Sequence, residues 1–284
     1  MNLSHPSELK ALLERHGFSF SKSLGQNFLI DEGVLSKILD AAALDDETCA
    51  LEIGPGAGTL TRCLAANSKK TLAIEIDRAL IPVLGESLAE FSNVNLIHAD
   101  VMDVDLREVT KDAFGDSPFC VVANLPYYIT TPIIMELLES RLPVTTMTVM
   151  VQKEVADRMV AAPGTKEYGA LSVAVQYYTK PSLVCKAEPH CFMPQPKVAS
   201  SVVKLEVLPQ PAVEVEDEKL FFQIVKSAFG QRRKTLSNAL SKSPYFSVGK
   251  ERVMAALENM ELPEGVRGER LSVEEFAELS NLLK

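Results

Sequence analysis

What the chain lacks narrows its class first. No apolar run reaches the length needed to span a bilayer, and Met1 to Phe20 mixes Glu8, Lys10, Glu14 and Arg15 into its apolar positions, unlike the core of a secretory leader. A cytoplasmic location without a membrane partner is expected. Cysteine is sparse: Cys49, Cys63, Cys120, Cys185 and Cys191 are odd in number and scattered, with no CxxC spacing, which argues against a disulfide framework and against a zinc site. No metal is expected, and the thiols read as ordinary buried ones. Positive charge is also short. A net charge of −9 and a pI of about 5.1 disfavour, at first sight, a nucleic-acid partner. The distribution argues otherwise, because Lys226, Arg232, Arg233, Lys234, Lys242, Lys250 and Arg252 face a single acid, Glu251, in the span 226–252. A local basic face on an acidic protein can still grip phosphate.

What is present suits a soluble globular chain: 284 residues, 46% hydrophobic and 24% charged, enough for one large domain and a small one. Its organising stretch is Asn124-Leu125-Pro126-Tyr127. The apolar run Phe119 to Ala123 before it reads as a buried strand of a parallel sheet, and Thr130-Thr131-Pro132 after it reads as a helix start. Ligands of open α/β sheets collect beyond the carboxyl ends of the strands, so an amide, backbone carbonyls and an aromatic ring would project into a crevice there. Those groups suit an amine. The exocyclic amine of adenine is a poor nucleophile; acceptance of its N–H groups by the Asn124 side-chain carbonyl and the Pro126 backbone carbonyl would favour the pyramidal nitrogen of the transition state. Tyr127 could stack on the base. Taken alone, the tetrapeptide is equally compatible with a plain turn.

Taken in order, residues 5–16 read as a helix. The polar stretch Lys22 to Asp31 reads as a loop leading into a helix at 32–43. The strand Cys49 to Ile53 then runs into Gly54-Pro55-Gly56-Ala57-Gly58, with a helix from Thr59, the opening unit of a nucleotide-binding α/β fold. The next strand, Thr71 to Asp77, carries Glu75 at the distance expected of a carboxylate that takes a ribose hydroxyl pair, with Asp77 beside it. A third strand ends in Asp100, placed to meet an adenine amino group. His98 on that strand reads as a packing residue, since nothing nearby suggests a triad. Thr146 to Val151 supplies a fifth strand and 153–161 a helix. Leu171 to Tyr178 is read as helix, and 182–186 and 198–208 as strands. Between these strands two prolines stiffen a loop around Phe192, which would complete an aromatic sandwich with Tyr127.

Pro209-Gln210-Pro211 marks a domain boundary, beyond which 219–229, 232–240, 250–258 and a last segment capped by Ser272 read as helices. Arg232, Arg233 and Lys234 would then open a helix, where cations oppose the dipole; that small cost suggests a use in binding RNA, together with Lys226.

Leu24 to Leu29, Glu52 to Gly58, Asn124 to Tyr127, Phe192 to Val198 and Gln231 to Leu236 occur in the order and spacing of a known family. On those motifs, nearly the whole chain resembles the small-subunit (16S) rRNA adenine N6,N6-dimethyltransferases. The resemblance implies an α/β fold with a Rossmann-like class I methyltransferase sheet, helices on both faces and a small all-helical C-terminal domain, divided as 1–210 and 211–284. It implies S-adenosylmethionine as donor and 16S rRNA of the immature small ribosomal subunit as substrate, with two adjacent adenosines of the 3′-terminal hairpin loop dimethylated at N6. By the same resemblance, Asn27 and Leu29 close over the donor, Gly54 approaches its methionine part, Gly56 also binds the donor, Glu75 takes the ribose and Asp100 the adenine. Asn124 lies between donor and target amine, Tyr127 and Phe192 hold the target base, and the C-terminal domain docks on the subunit. A monomer is the family default.

No dedicated base is needed for such chemistry, which rests on proximity and charge placement. Three other classes fit less well. A dinucleotide-dependent dehydrogenase would share the strand-glycine-helix unit, but Gly54, Gly56 and Gly58 depart from GxGxxG spacing and no hydride-transfer acid/base pair is evident. A noncatalytic assembly factor has no need of Asn124, Tyr127 and Phe192 together. The large-subunit rRNA methyltransferases of macrolide resistance are usually strongly basic and lack the Gln231 to Leu236 motif.

Overall fold

The computed structural model describes residues 1–21 and 24–284; Lys22 and Ser23, at the head of the expected loop, lie outside the described residues. Contacts divide the chain into two units, Met1–Ala156 with Ser182–Val207, and Asp157–Pro181 with Leu208–Lys284. This differs from a single cut after residue 210.

The first half of the chain alternates helix and strand: α1 (Pro6–Arg15), β1 (Phe28–Leu29), α2 (Glu32–Ala42), β2 (Cys49–Ile53), α3 (Thr59–Asn67), β3 (Lys70–Glu75), α4 (Ile81–Ser87) and β4 (Val94–His98). There follow α5 (Leu106–Phe114), β5 (Phe119–Asn124), α6 (Thr130–Glu139), β6 (Val144–Gln152), α7 (Lys153–Met159), α8 (Ala170–Tyr178), β7 (Thr179–Ala187), β8 (Phe192–Met193) and β9 (Ser200–Val207). Seven strands form one sheet in the order β4-β3-β2-β5-β6-β9-β7. β4 through β6 pair in parallel, as crossover helices require, and β9 returns antiparallel to β6. Every residue of β2 is buried, and in β5 only Asn124 is not, so the central strands are covered on both faces. That is why they read as unbroken apolar runs. One face packs Ala50, Cys120, Val122, Met150 and Val202 under Val34, Leu35 and Ile38 of α2 and Leu60 and Leu64 of α3.

A second, two-stranded sheet ties the N-terminal segment down. β1 pairs antiparallel with β8, Phe28 opposite Met193 and Leu29 opposite Phe192. Leu9, Leu12 and Leu13 of α1 pack with Val83 and Leu84 of α4 and with Phe28, which anchors the start of this segment.

The second unit is built on α8, α9 (Glu218–Gly230), α10 (Leu236–Leu240), α11 (Lys250–Asn259) and α12 (Val273–Leu283). Leu171 to Tyr178 is helical as the sequence suggests, and its end explains why 157–181 belongs here. Tyr177 stacks on Phe221 at 4.9 Å and Tyr178 on Phe222 at 5.8 Å, while both phenols donate to the Glu218 carboxylate at 3.1 and 2.7 Å. The expected helix from Arg232 starts only at Leu236, because Gln231 to Lys234 form a turn and Thr235 is extended at φ −62°, ψ 152°. The cations therefore do not sit on a helix N-terminus, and the dipole argument does not apply to them.

At α12 the Ser272 hydroxyl accepts the Glu275 N–H at 3.2 Å and the Glu275 carboxylate accepts the Ser272 N–H at 2.7 Å. Ser272→Ala should therefore cost about 1 kcal/mol, seen as a lower urea midpoint at unchanged m-value.

Candidate active site

The cleft lies where the strand order reverses. From β2 the chain steps to β3 and β4 on one side and then crosses to β5 on the other, leaving a crevice beyond the carboxyl ends of β2 and β5. Residues Leu24–Leu29, Glu52, Gly54–Ala57, Glu75 and Asn124–Tyr128 are among those that line it.

The glycine turn is dictated by backbone shape and space. Gly54 and Gly56 hold φ of +74° and +62°, and a Cβ on Gly56 would lie 2.9 Å from carbons of the Phe28 ring. Glu75, at the end of β3 and 4% exposed, accepts the Gly56 N–H at 3.1 Å and the Asp77 N–H at 2.8 Å. Burial raises its pKa to about 6 in spite of these bonds. Glu52 lies on β2 at 1% exposure, and among the described residues its Oε2 has no hydrogen-bond partner. Burial pushes its pKa to about 8, with the Glu75 charge adding to the rise, so it is mostly neutral at neutral pH. The signal that points to it is a carboxylate inside an otherwise apolar strand.

At the opposite wall the Asn124 amide donates through Nδ2 to the Asn27 carbonyl at 2.9 Å, which leaves Oδ1 as its acceptor. Pro126 lines the cleft, but its carbonyl accepts the Thr130 hydroxyl at 2.9 Å and the Ile129 N–H at 3.3 Å. Both lone pairs are engaged by the start of α6, so this oxygen is not offered to an amine. Among the described residues, the Leu125 carbonyl accepts no hydrogen bond. Tyr127 is half-buried, its phenol 2.6 Å from the Ser200 hydroxyl, whereas Tyr128, unremarked in the sequence, is 51% exposed on the cleft.

The remaining expected residues are dispersed. Leu29 and Phe192 sit opposite each other in the β1–β8 pair; Leu29 lines the cleft, while Phe192 is 1% exposed and packs in the core with Leu29 and Val34. Its ring presents no open face beside Tyr127 in this conformation. Asp100, in the turn after β4, accepts the Met102 N–H at 2.9 Å and is not among the residues lining the cleft. Gln26 reaches from the N-terminal segment to Asp77 at 2.6 Å.

In the second unit, Arg232 is already employed: it donates to the Lys166 and Tyr168 carbonyls at 3.1 and 3.0 Å and meets Glu269 at 3.5 Å. Arg233 and Lys234 are exposed, and Lys226 lies over the Tyr245 ring at 4.5 Å.

A doubly wound sheet with its cleft at the β2/β5 switch point, a glycine turn and a carboxylate closing the adjacent strand is a nucleotide-binding arrangement, and similarities to known proteins place it among S-adenosylmethionine-dependent methyltransferases. The chain belongs to the ribosomal RNA adenine dimethylase family, whose profile matches residues 17–284. It is 53% identical to the ribosomal RNA small subunit methyltransferase A of Alkaliphilus metalliredigens, over 97% of this chain and 96% of that one. It is 50% identical to the same enzyme of a Geobacillus species, over 100% of this chain and 98% of that one. Among solved structures it is similar to a dimethyladenosine transferase from Plasmodium falciparum, with a TM-score of 0.74 and 26% identity over 89% of this chain and 95% of that one. It is also similar to the 23S rRNA methyltransferase ErmE, with a TM-score of 0.69 and 28% identity over 90% of this chain and 99% of that one. The protein is thus an rRNA adenine dimethyltransferase that uses S-adenosylmethionine.

Because Glu52 has a raised pKa in the folded chain, its neutral form favours folding below the ordinary carboxylate range, and that contribution is lost as pH rises towards 8. Glu75 acts in the same sense on the way to about 6. Relative to Glu52→Gln, the native chain should therefore lose thermal midpoint between about pH 4.5 and about pH 8. A difference between the two proteins that stays constant across that range would remove the assignment.

Proposed function

We propose that this enzyme dimethylates N6 of two adjacent adenosines in the 3′-terminal hairpin loop of 16S rRNA, on the immature small ribosomal subunit in the cytoplasm, as a monomer. The observation that carries the reading is the convergence of the glycine turn, Glu75 and Asn124-Leu125-Pro126-Tyr127 on one cleft. The choice of RNA is supported by the full-length relatives named small subunit methyltransferase A, which are nearly twice as similar in sequence as the 23S enzyme. No helix among the described residues is long and apolar enough to cross a membrane.

The cleft fits the donor on its own terms. It holds a buried carboxyl with an unpartnered oxygen, Glu52, and a glycine backbone that an approaching ligand can touch. Asn27 and Leu29 would cover the donor, Gly54 and Gly56 would admit its methionine part, and Glu52 would meet its cationic amine. Glu75 would take the ribose and Asp100, after a local adjustment, the adenine. When bound, S-adenosylmethionine supplies a methyl group made electrophilic by its sulfonium.

The chain supplies position and charge. Asn124, with Nδ2 committed to Asn27, turns Oδ1 towards an amine, and the Leu125 carbonyl replaces that of Pro126 as the second acceptor. Two acceptors on one nitrogen favour its pyramidal form, and its proton leaves to water after transfer. Pro126 then acts by stiffening the turn. Tyr127, held through Ser200, stacks on the base; Phe192 would join it only by rotating out of the core. Arg233, Lys234 and Lys226 would hold RNA phosphate, with Arg232 holding the 163–169 loop instead.

Radiolabelled S-adenosylmethionine incubated with undermethylated small subunits, and with large subunits in parallel, tests the substrate. Label should be confined to two neighbouring 3′-end adenosines as dimethyladenosine, and label found only in large-subunit RNA would overturn the proposal. Asn124→Ala should lower methyl transfer by about a hundredfold or more while donor affinity changes only a fewfold. Arg233→Ala with Lys234→Ala should weaken subunit binding and flatten its salt dependence; an unchanged slope would make the pair a solvated face.

A further inference from the structure

The β1–β8 junction carries a cluster that the methyl-transfer reading does not use. Asp31, the residue that caps α2, spends Oδ1 on the Val34 N–H at 2.8 Å and turns Oδ2 to the Cys191 thiol, 3.5 Å away. A ring nitrogen of His190 completes the group, the three donor atoms lying within 4.8 Å of one another. Cys191 is buried and His190 exposed, so the group has a closed side and an open one.

The donor types and the sulfur–oxygen spacing match a soft divalent cation, with the His190 nitrogen close enough to close in on it. In tetrahedral zinc, Zn–S of about 2.3 Å and Zn–O of about 2.0 Å set sulfur and oxygen about 3.5 Å apart. The Sγ–Oδ2 separation has that value. Thiolate and imidazole select zinc over magnesium or calcium. Among the described residues, neither the Asp31 nor the Glu188 carboxylate is ion-paired with a lysine or arginine. A divalent cation replacing the thiol proton would neutralise two facing anions.

The donor backbones are already held in place. The Ile30 N–H donates to the Cys191 carbonyl at 2.8 Å, and Leu29 pairs with Phe192 on the next step of the same ladder. Sequence spacing hides such a site, because its ligands are separated by about 160 positions.

We propose that Asp31, His190 and Cys191 bind one zinc-class ion, with water in the fourth position, and that the ion staples the segment 27–31 to the strand Phe192–Met193. Asn27 and Leu29 line the cleft, so the staple limits how far that wall opens.

The test uses the full-length protein stripped with a chelator and titrated with cobalt(II). One equivalent should bind and give the strong visible bands of four-coordinate cobalt together with a thiolate charge-transfer band, and zinc should displace it. Cys191→Ser should abolish the charge-transfer band. His190→Ala, at an exposed position that leaves the core intact, should weaken binding about tenfold or more. Cys63→Ser should change neither. Zinc should slow amide exchange at residues 28–30 in the native chain and not in His190→Ala. Absence of stoichiometric binding, or a spectrum that survives both Cys191→Ser and His190→Ala, would overturn the site. Stoichiometric binding without the exchange effect would overturn the staple.

Discussion

A single hydrogen bond, from the Asn124 amide to the Asn27 carbonyl, joins residues 97 apart, and the cleft depends on it. Asn124 is fixed because β5 is buried along its whole length up to that residue, so the strand delivers the amide to the switch point with little freedom. The bond then draws the N-terminal segment across the glycine turn. Phe28 fills the space above Gly56 that any side chain there would need, and Leu29 continues into the pairing with Phe192. The walls proposed for the donor and for the target base are therefore one structure.

The same cleft concentrates electrostatic cost. Two carboxyls, Glu52 and Glu75, are almost wholly buried within one site, and among the described residues no cation is paired with either. Glu75 is partly compensated by the N–H groups of Gly56 and Asp77, and its pKa rises only to about 6. Glu52 has an oxygen with no partner among the described residues and rises to about 8. A packing role would be filled more cheaply by an apolar residue. A carboxyl kept neutral beside a charged one gives a cationic ligand a place where its arrival, rather than a resident side chain, supplies the missing charge.

Local signals made the frame legible. Buried strands appear as apolar runs, the glycines mark the turn where φ is positive, and the Ser272–Glu275 box marks the start of the last helix. Where a residue sits otherwise than its local sequence suggests, the cause is a partner distant in sequence or a competing local acceptor. The Pro126 carbonyl is taken by Thr130 and Ile129, Arg232 is drawn to the Lys166 and Tyr168 carbonyls, and Phe192 enters the core by pairing with Leu29. Residues 157–181 join the C-terminal helices through the Tyr177 and Tyr178 rings and Glu218. Periodicity carries none of this, because it reports which face is buried and not what lies against it.

Net charge is a poor guide here for the same reason. A total of −9 describes a surface average, but a phosphate near the surface feels charges within a Debye length, about 8 Å at physiological ionic strength. Within the span 226–252 only Glu251 opposes seven cations. Of these, Arg232 is held by backbone carbonyls and Glu269, and Lys226 is steadied over Tyr245, which fixes its position without cancelling its charge. Arg233 and Lys234 stand exposed on the turn that replaces the expected helix start. Their freedom follows from that turn: with Leu236 beginning the helix and Thr235 extended, the two side chains are not committed to a helix face and can follow a phosphate backbone. The acidic remainder of the surface lies largely beyond that range and is screened.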